Sequence, residues 1–410
     1  MRVTRYLPAG LTAVLRPWII AGRRRVAGRR RINLADGVVC RLLGDPAWET
    51  FFGYYDLSPF EPQGKRLLAC RVKRDRPGAM EVGFYSAVAA RSFTPVAATE
   101  TWCWQQGCRL AWVPAFGSGQ VVFNTLGKDA YAAVVFDVDG GKETARFARP
   151  LYDISPDGRY GLSVNFSRLQ RLRPGYGYSQ FPDAAADTAA PVDDGIWLVD
   201  LAANESRLLH SLAEVAAVAP QESMNGAVHY FNHLAWNPSG TRFLFFHIWE
   251  PANRRRMIRL LTSDAEGNLQ VVTNQRMVSH YCWTGDRHML LFAELAGVNG
   301  YYEVADRPDG AEQALRCAGM PGYDGHPTWN AGAGRFVFDS LPDRLSERTL
   351  MTFRPGEPGP RILASFYSPP FLSGERRCDL HPRWPAAGAA IAVDTAHSGY
   401  RQIAVIEPSA

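Results

Sequence analysis

Four of the nine histidines in this 410-residue chain stand three residues before a tryptophan. They are His233-Leu-Ala-Trp236, His280-Tyr-Cys-Trp283, His326-Pro-Thr-Trp329 and His381-Pro-Arg-Trp384. Neutral imidazole ligates metals and takes protons near neutral pH, so four at one spacing from one residue type point to a shared chemical role. Eleven residues after each repeat's anchor, these tryptophans and their counterparts Phe60, Trp112 and Ile154, a second polar set recurs, with Arg71, Asn165, His247 and Glu294 among its members and Asn124, one residue further on, as the equivalent in the second repeat. Arg109 joins the first set. Guanidinium groups such as Arg71 and Arg109 bind carboxylates in bidentate fashion, and the combination suits an acidic ligand. Tyr54, Tyr55, Tyr176, Tyr178 and Arg383 add phenols and a further cation for substrate binding. Glu294 is a lone carboxylate, which argues against the paired acids of glycosidase chemistry.

These residues need elements to position them, and the elements repeat. Phe60, Trp112, Ile154, Trp236, Trp283, Trp329 and Trp384 each lead into a turn and then an apolar strand-like run, mostly about 45–55 residues apart. Phe231–Trp249 shows the unit most clearly, with Asn237-Pro-Ser-Gly240 supplying the turn of a β-hairpin. Seven such units predict an all-β fold, a seven-bladed β-propeller of four-stranded antiparallel blades over residues 36–410. The start of one strand and the end of the next share an edge in a hairpin, so both polar sets should meet at one mouth of the central channel. The anchor tryptophans read as core, and His210 and His288, out of phase, as surface residues. Val38–Leu43 is expected to pair with the last strand, Tyr400–Ile406, and so close the ring. One long gap holds an inserted loop at about 168–190, where Tyr176, Tyr178 and Phe181 offer stacking surfaces.

Composition sets limits on partners. The net charge of +5 conceals nine arginines and no acidic residue in residues 1–31, leaving about −4 on the rest. The body is therefore no basic nucleic-acid binder. Residues 1–35 read as a basic arm that either stays disordered or rests on an anionic membrane surface through Trp18, Ile19 and Ile20. Its apolar segment Tyr6–Leu15 is short and lacks a cleavage pattern, so no signal peptide is recognised. Seven cysteines without framework spacing favour reduced thiols and a cytoplasmic location, which the basic arm would place at the inner face of the membrane. The oligomeric state is unknown from these features.

The openings Gly325-His326-Pro327-Thr-Trp329 and Leu380-His381-Pro382-Arg-Trp384 resemble TolB-type propeller repeats. More specifically they resemble seven-bladed polysaccharide lyases of the oligogalacturonate lyase kind. Asn232-His233-Leu-Ala-Trp-Asn-Pro-Ser-Gly-Thr-Arg-Phe, followed by His247, is similar to propeller ulvan lyases. The resemblance implies β-elimination on a uronate-containing glycan. It implies a divalent metal ion (Mn, Zn or Ca) on His326 and His381 with His280 as third ligand, and no organic cofactor. It further implies His233 and His247 as the proton-transfer pair and Arg71 or Arg109 as the carboxylate clamp. No fourth metal ligand is evident. The alternative expectation is a non-catalytic glycan-binding or scaffold propeller in cell-surface polysaccharide biosynthesis.

Overall fold

The computed structural model describes residues 9–86, 92–252, 255–274, 277–385 and 388–408. Tyr6 and Pro8 of the arm's apolar segment lie outside the described residues. Seven antiparallel sheets follow one another in the order of the chain, as the seven repeats predict. Five have four strands, the fourth blade being Val228–Trp236, Phe243–Glu250, Met257–Ser263 and Gln270–Val271. Blade seven has three, Ile391–Thr395, Gln402–Pro408 and Val38–Leu43, with its innermost strand reduced to the bridge between Arg383 and Ala392. Val38–Leu43 closes the ring by pairing antiparallel to Gln402–Pro408, from Val38 opposite Pro408 to Leu43 opposite Ile403. That pairing covers an edge that would otherwise expose a row of unpaired backbone groups.

Central strands of a propeller are packed on both faces, which explains their continuous apolar runs. Phe243 and Phe245 are fully buried, each contributing about 1.5–3 kcal/mol by burial alone. The hairpin before them turns on Gly240 at φ +68°, whose N–H donates to Asn237 O at 3.0 Å. Of the anchor tryptophans Trp236 and Trp384 are buried, while Trp112, Trp283 and Trp329 are half-buried against the core, and two of these staple neighbouring blades. Trp112 Nε1 donates to Pro59 O at 2.9 Å, and Trp283 Nε1 donates to Ala235 O at 3.1 Å. In each case the acceptor directly precedes the anchor of the preceding blade. His288 is exposed as expected, whereas His210 is a correction: it is buried, with Nε2 2.7 Å from Ser263 Oγ.

The described part of the arm is ordered rather than a loose tail. Helix α1 (Ala9–Val26) ends at residues that dock on blade six, and Ile32–Leu34 adds a fifth strand there against Arg361–Tyr367. Arg24 NH1 and Arg29 NH2 grip the two oxygens of buried Glu347 at 2.7 and 2.6 Å.

In blade three the chain leaves Tyr160–Ser163, forms helix α2 (Phe166–Leu172) and wanders over the mouth before Gly195–Asp200. Asn165 caps α2 by accepting from Arg168 N at 2.9 Å. Buried Arg168 then donates to the carbonyls of Ala185, Thr188, Ala189 and His229, which pins the whole insertion. Gly177 lies so close to α2 that a Cβ there would stand 2.1 Å from Phe166 O.

Candidate functional site

The in-phase histidines converge because the innermost strands break regularity around them. Register shifts fall between Asn232 and Ala235 and between Val278 and His280. Arg109, His233 and His381 have φ of +56°, +58° and +45°. Left-handed backbone at non-glycine residues costs about 1–3 kcal/mol and persists where the surroundings over-determine it. Here they do: His233 N donates to Tyr152 OH at 3.0 Å, and His381 N donates to Asp339 Oδ2 at 3.3 Å. The irregularities re-aim the side chains toward the channel.

At its mouth the ring centroids of His280 and His326 are 4.2 Å apart, and those of His326 and His381 4.4 Å. Tyr54 sits among them, stacked on His233 at 5.0 Å and edge-on to His381 at 4.7 Å. Tyr55 packs 5.2 Å from His326, its hydroxyl donating to Tyr281 O at 3.0 Å.

Hydrogen bonds assign the imidazole tautomers. His280 Nδ1–H donates to Asp324 Oδ1 and His326 Nδ1–H to Asp339 Oδ1, both at 2.8 Å. His381 Nδ1–H donates to Gly53 O at 2.8 Å. Each of the three therefore carries its lone pair on Nε2, the arrangement of metal-ligating histidines held by outer partners. His381 Nε2 is buried with no hydrogen-bond partner. Ligand atoms of His326, Asp379 and His381 lie within 4.8 Å of one another. An orphaned imidazole nitrogen in this set of two imidazoles and one carboxylate, with His280 packed against His326, fits a divalent ion of the borderline class. Burial would raise Asp379, but Arg348 and Arg377 hold it well below the usual carboxylate range, with contacts of 2.5 and 2.8 Å. Burial likewise drives His233 and His381 well below the ordinary imidazole value, so both are neutral.

His233 has the opposite tautomer. Asn232 Oδ1 accepts from Tyr152 OH at 2.9 Å, so Asn232 Nδ2 is the donor to His233 Nε2 at 3.1 Å. The proton of His233 is then on Nδ1, buried and unpartnered. Over this group the insertion lays Tyr176, 5.9 Å edge-on to Tyr54 and 6.0 Å from His233. Arg377 NH2 and Arg173 NH2 donate to the Tyr176 hydroxyl at 2.5 and 3.4 Å. Burial opposes ionisation of Tyr176, yet Arg173 and Arg377 bring its pKa below the ordinary phenol value. Burial pushes neighbouring Tyr54 well above it. Two adjacent phenols pushed apart in this way are suited to different roles.

Several expected residues are placed elsewhere. His247 lies on the other face of blade four. His233 touches Phe246, at 5.1 Å between centroids, and strand alternation turns the next residue away. His247 instead bonds His229 Nδ1 at 2.8 Å and accepts from Arg259 Nε at 3.0 Å. Arg71 is sandwiched between Trp48 and Phe93 and paired with Glu81 at 2.6 Å. Buried Arg109 donates through NH1 to both oxygens of Asp56 at 3.0 Å, and Arg383 binds Asp394 at 3.0 Å and the carbonyls of Gly53 and Tyr54. Asn124 bonds Leu151 and the hydroxyl of buried Tyr178, which leaves neither for a ligand. Asn165 is the helix cap, and Glu294 is exposed on blade five.

Asp324, Asp339, Asp379, Arg173 and Arg377 were not singled out in the sequence. A signal existed for two of them: Asp324-Gly-His326-Pro327 and Asp379-Leu-His381-Pro382 share one spacing. Asp339 and Asp394 stand one residue before the positions counted from the anchors, and each accepts backbone N–H groups of the following blade.

No protein-family model and no curated protein matches the sequence. Solved structures do match. An oligogalacturonate lyase in complex with manganese is 14% identical, with a TM-score of 0.67 over 92% of this chain and 95% of that one. The oligogalacturonate lyase of Vibrio parahaemolyticus is 11% identical, with a TM-score of 0.60 over 92% of this chain and 97% of that one. The tricorn protease aligns with a TM-score of 0.51 at 11% identity, over 88% of this chain and 34% of its own. The chain is a seven-bladed β-propeller similar in fold to oligogalacturonate lyases, as its His-Pro openings led one to expect.

Proposed function

We propose that this propeller is a lyase that cleaves a uronate-containing glycan by β-elimination. The observation that carries the reading is Tyr176, a buried phenol hydrogen-bonded by two guanidinium groups beside three imidazoles with free Nε2 atoms. Tyr176, as phenolate, takes the proton from the carbon next to the uronate carboxylate. The released electron pair forms the new C=C bond as the glycosidic C–O bond on the adjacent carbon breaks. Tyr176 then returns the proton to the departing oxygen, which restores the phenolate and balances the step. His233 Nδ1–H is a fixed donor to that oxygen, a role assigned by its tautomer. Tyr176 and His233 thus replace the expected pair of His233 and His247. Arg173 and Arg377 hold the phenolate and draw the acidic sugar inward. A divalent ion on His326, His381 and Asp379, with His280 beside them, would neutralise the uronate carboxylate and so acidify the neighbouring C–H. Manganese is the first ion to test, since the similar solved lyase contains it.

The test is incubation with pectate, ulvan, alginate and glycosaminoglycan panels, following the ultraviolet absorbance of unsaturated uronate. Activity abolished by Tyr176→Phe supports the reading; full activity in that variant removes the assigned base. A second reading, a glycan-binding or scaffold propeller for surface-polysaccharide assembly, is favoured by one observation: His233, His326 and His381 are 2–3% exposed beneath the insertion. Binding of acidic oligosaccharides without any unsaturated product would decide for it.

A further inference from the structure

Helix α1 and the rim it occupies carry an inference independent of the chemistry proposed above. One face of α1 is committed to the body: Ile20 is buried, and one turn later Arg24 reaches Glu347 and Leu345 O. At about 100° per residue the opposite face carries Leu15, Trp18, Gly22 and Val26. There Trp18 is 77% exposed and Val26 91%. Arg16, Arg23 and Arg25 are exposed on the flanks, and Arg30 and Arg31 follow the helix. No acidic residue occurs before Asp36.

The docking point fixes where this face lies. In blade six Arg335–Asp339 runs toward the mouth, since Asp339 bonds His326 there. The connection to Glu347–Phe353, with Leu345 and Glu347, is therefore at the mouth end, as is the loop after Arg361–Tyr367. Leu341 in the first connection is 51% exposed and Phe371 in the second 69%. Exposed apolar side chains on one rim, headed by a tryptophan on a helix whose arginines outnumber the rim's acids Asp343 and Glu375, have the chemistry of a surface that enters the headgroup layer of an anionic bilayer.

We propose that α1, clamped by Arg24 and Arg29 on Glu347, docks the mouth face of the propeller onto an anionic lipid surface. Charge complementarity sets the lipid class and Trp18 the depth.

The experiment uses the full chain with sedimenting vesicles of phosphatidylcholine alone, or of phosphatidylcholine with phosphatidylglycerol. Binding is expected only to the second, and to weaken as salt is raised. Each arginine near such a surface strengthens binding by about fivefold, so Arg23→Gln/Arg25→Gln should weaken it by more than about tenfold. Trp18→Ser should weaken it without changing the salt dependence. These three side chains are exposed, and circular dichroism checks that the variants fold. Equal binding to both vesicles, no binding to either, unaltered binding by the variants, or retention on duplex DNA in place of vesicles would each overturn the proposal.

Discussion

Replacing Arg377 by glutamine isolates the electrostatics on which the assignment of Tyr176 as base depends. The wild-type guanidinium donates to the phenolic oxygen at 2.5 Å, and its other edge contacts Asp379 at 2.8 Å. A unit charge about 4 Å from a phenolate at an effective dielectric of about 20 is worth about 4 kcal/mol, or about three pKa units. Two features reduce that figure. The Arg377 side chain is 34% exposed, so solvent screens it, and its charge is shared with Asp379. Arg173 remains to hold part of the effect. The expected result for Arg377→Gln is an upward shift of the Tyr176 titration by about one to two units. The assay is a spectrophotometric pH titration of tyrosinate absorbance, with Tyr176→Phe subtracted to isolate one phenol from sixteen. Burial keeps Tyr54 silent over the same range. If the reaction is followed instead, the alkaline rise of its pH profile should move upward by the same amount. An unchanged titration would refute the claim that the arginines activate this phenol.

Other consequences follow from the same contacts. Asp339 is fully buried and accepts from His326 N, His326 Nδ1, Leu380 N and His381 N, so Asp339→Ala should cost about 3 kcal/mol or more, read by urea denaturation. His247 is held neutral by burial, with Arg259 and His229 adding to the effect, so its folded pKa lies well below the unfolded value of about 6.5. The unfolded chain then binds the extra proton, and stability falls as pH drops below about 6.5; His247→Gln should flatten that fall in a pH series of thermal melts. Because His247 lies off the mouth, the same substitution should leave glycan binding unchanged, whereas His233→Ala should abolish turnover. Glu347→Ala should free α1 and expose the Arg24 region to limited proteolysis, since two arginines lose their shared acceptor.

The repeat was legible because its signals are local. An anchor aromatic, a turn and a buried strand recur within each blade, and Val38–Leu43 stands before the first blade as an apolar run able to pair with the last strand. The histidine set was legible for the same reason, since one spacing places all four at equivalent strand starts. What the spacing could not carry was the second ring. A bulge at His233 and strand alternation decide between Phe246 and His247, and counting residues cannot see either. Arg109 and Arg383 have the right charge at the right edge, but Asp56 meets Arg109 from the preceding blade and Asp394 meets Arg383 across the last hairpin. Tyr176 was read as a stacking surface because its partner Arg377 is two hundred residues away in sequence.

The central claim is that His326, His381 and Asp379 hold one divalent ion, with His280 beside them. Isothermal titration of manganese into metal-free protein tests it most directly. One site in the wild type, lost in His326→Ala but retained in His247→Gln, is the predicted result. Undiminished binding by His326→Ala, or no binding by the wild type, would contradict it.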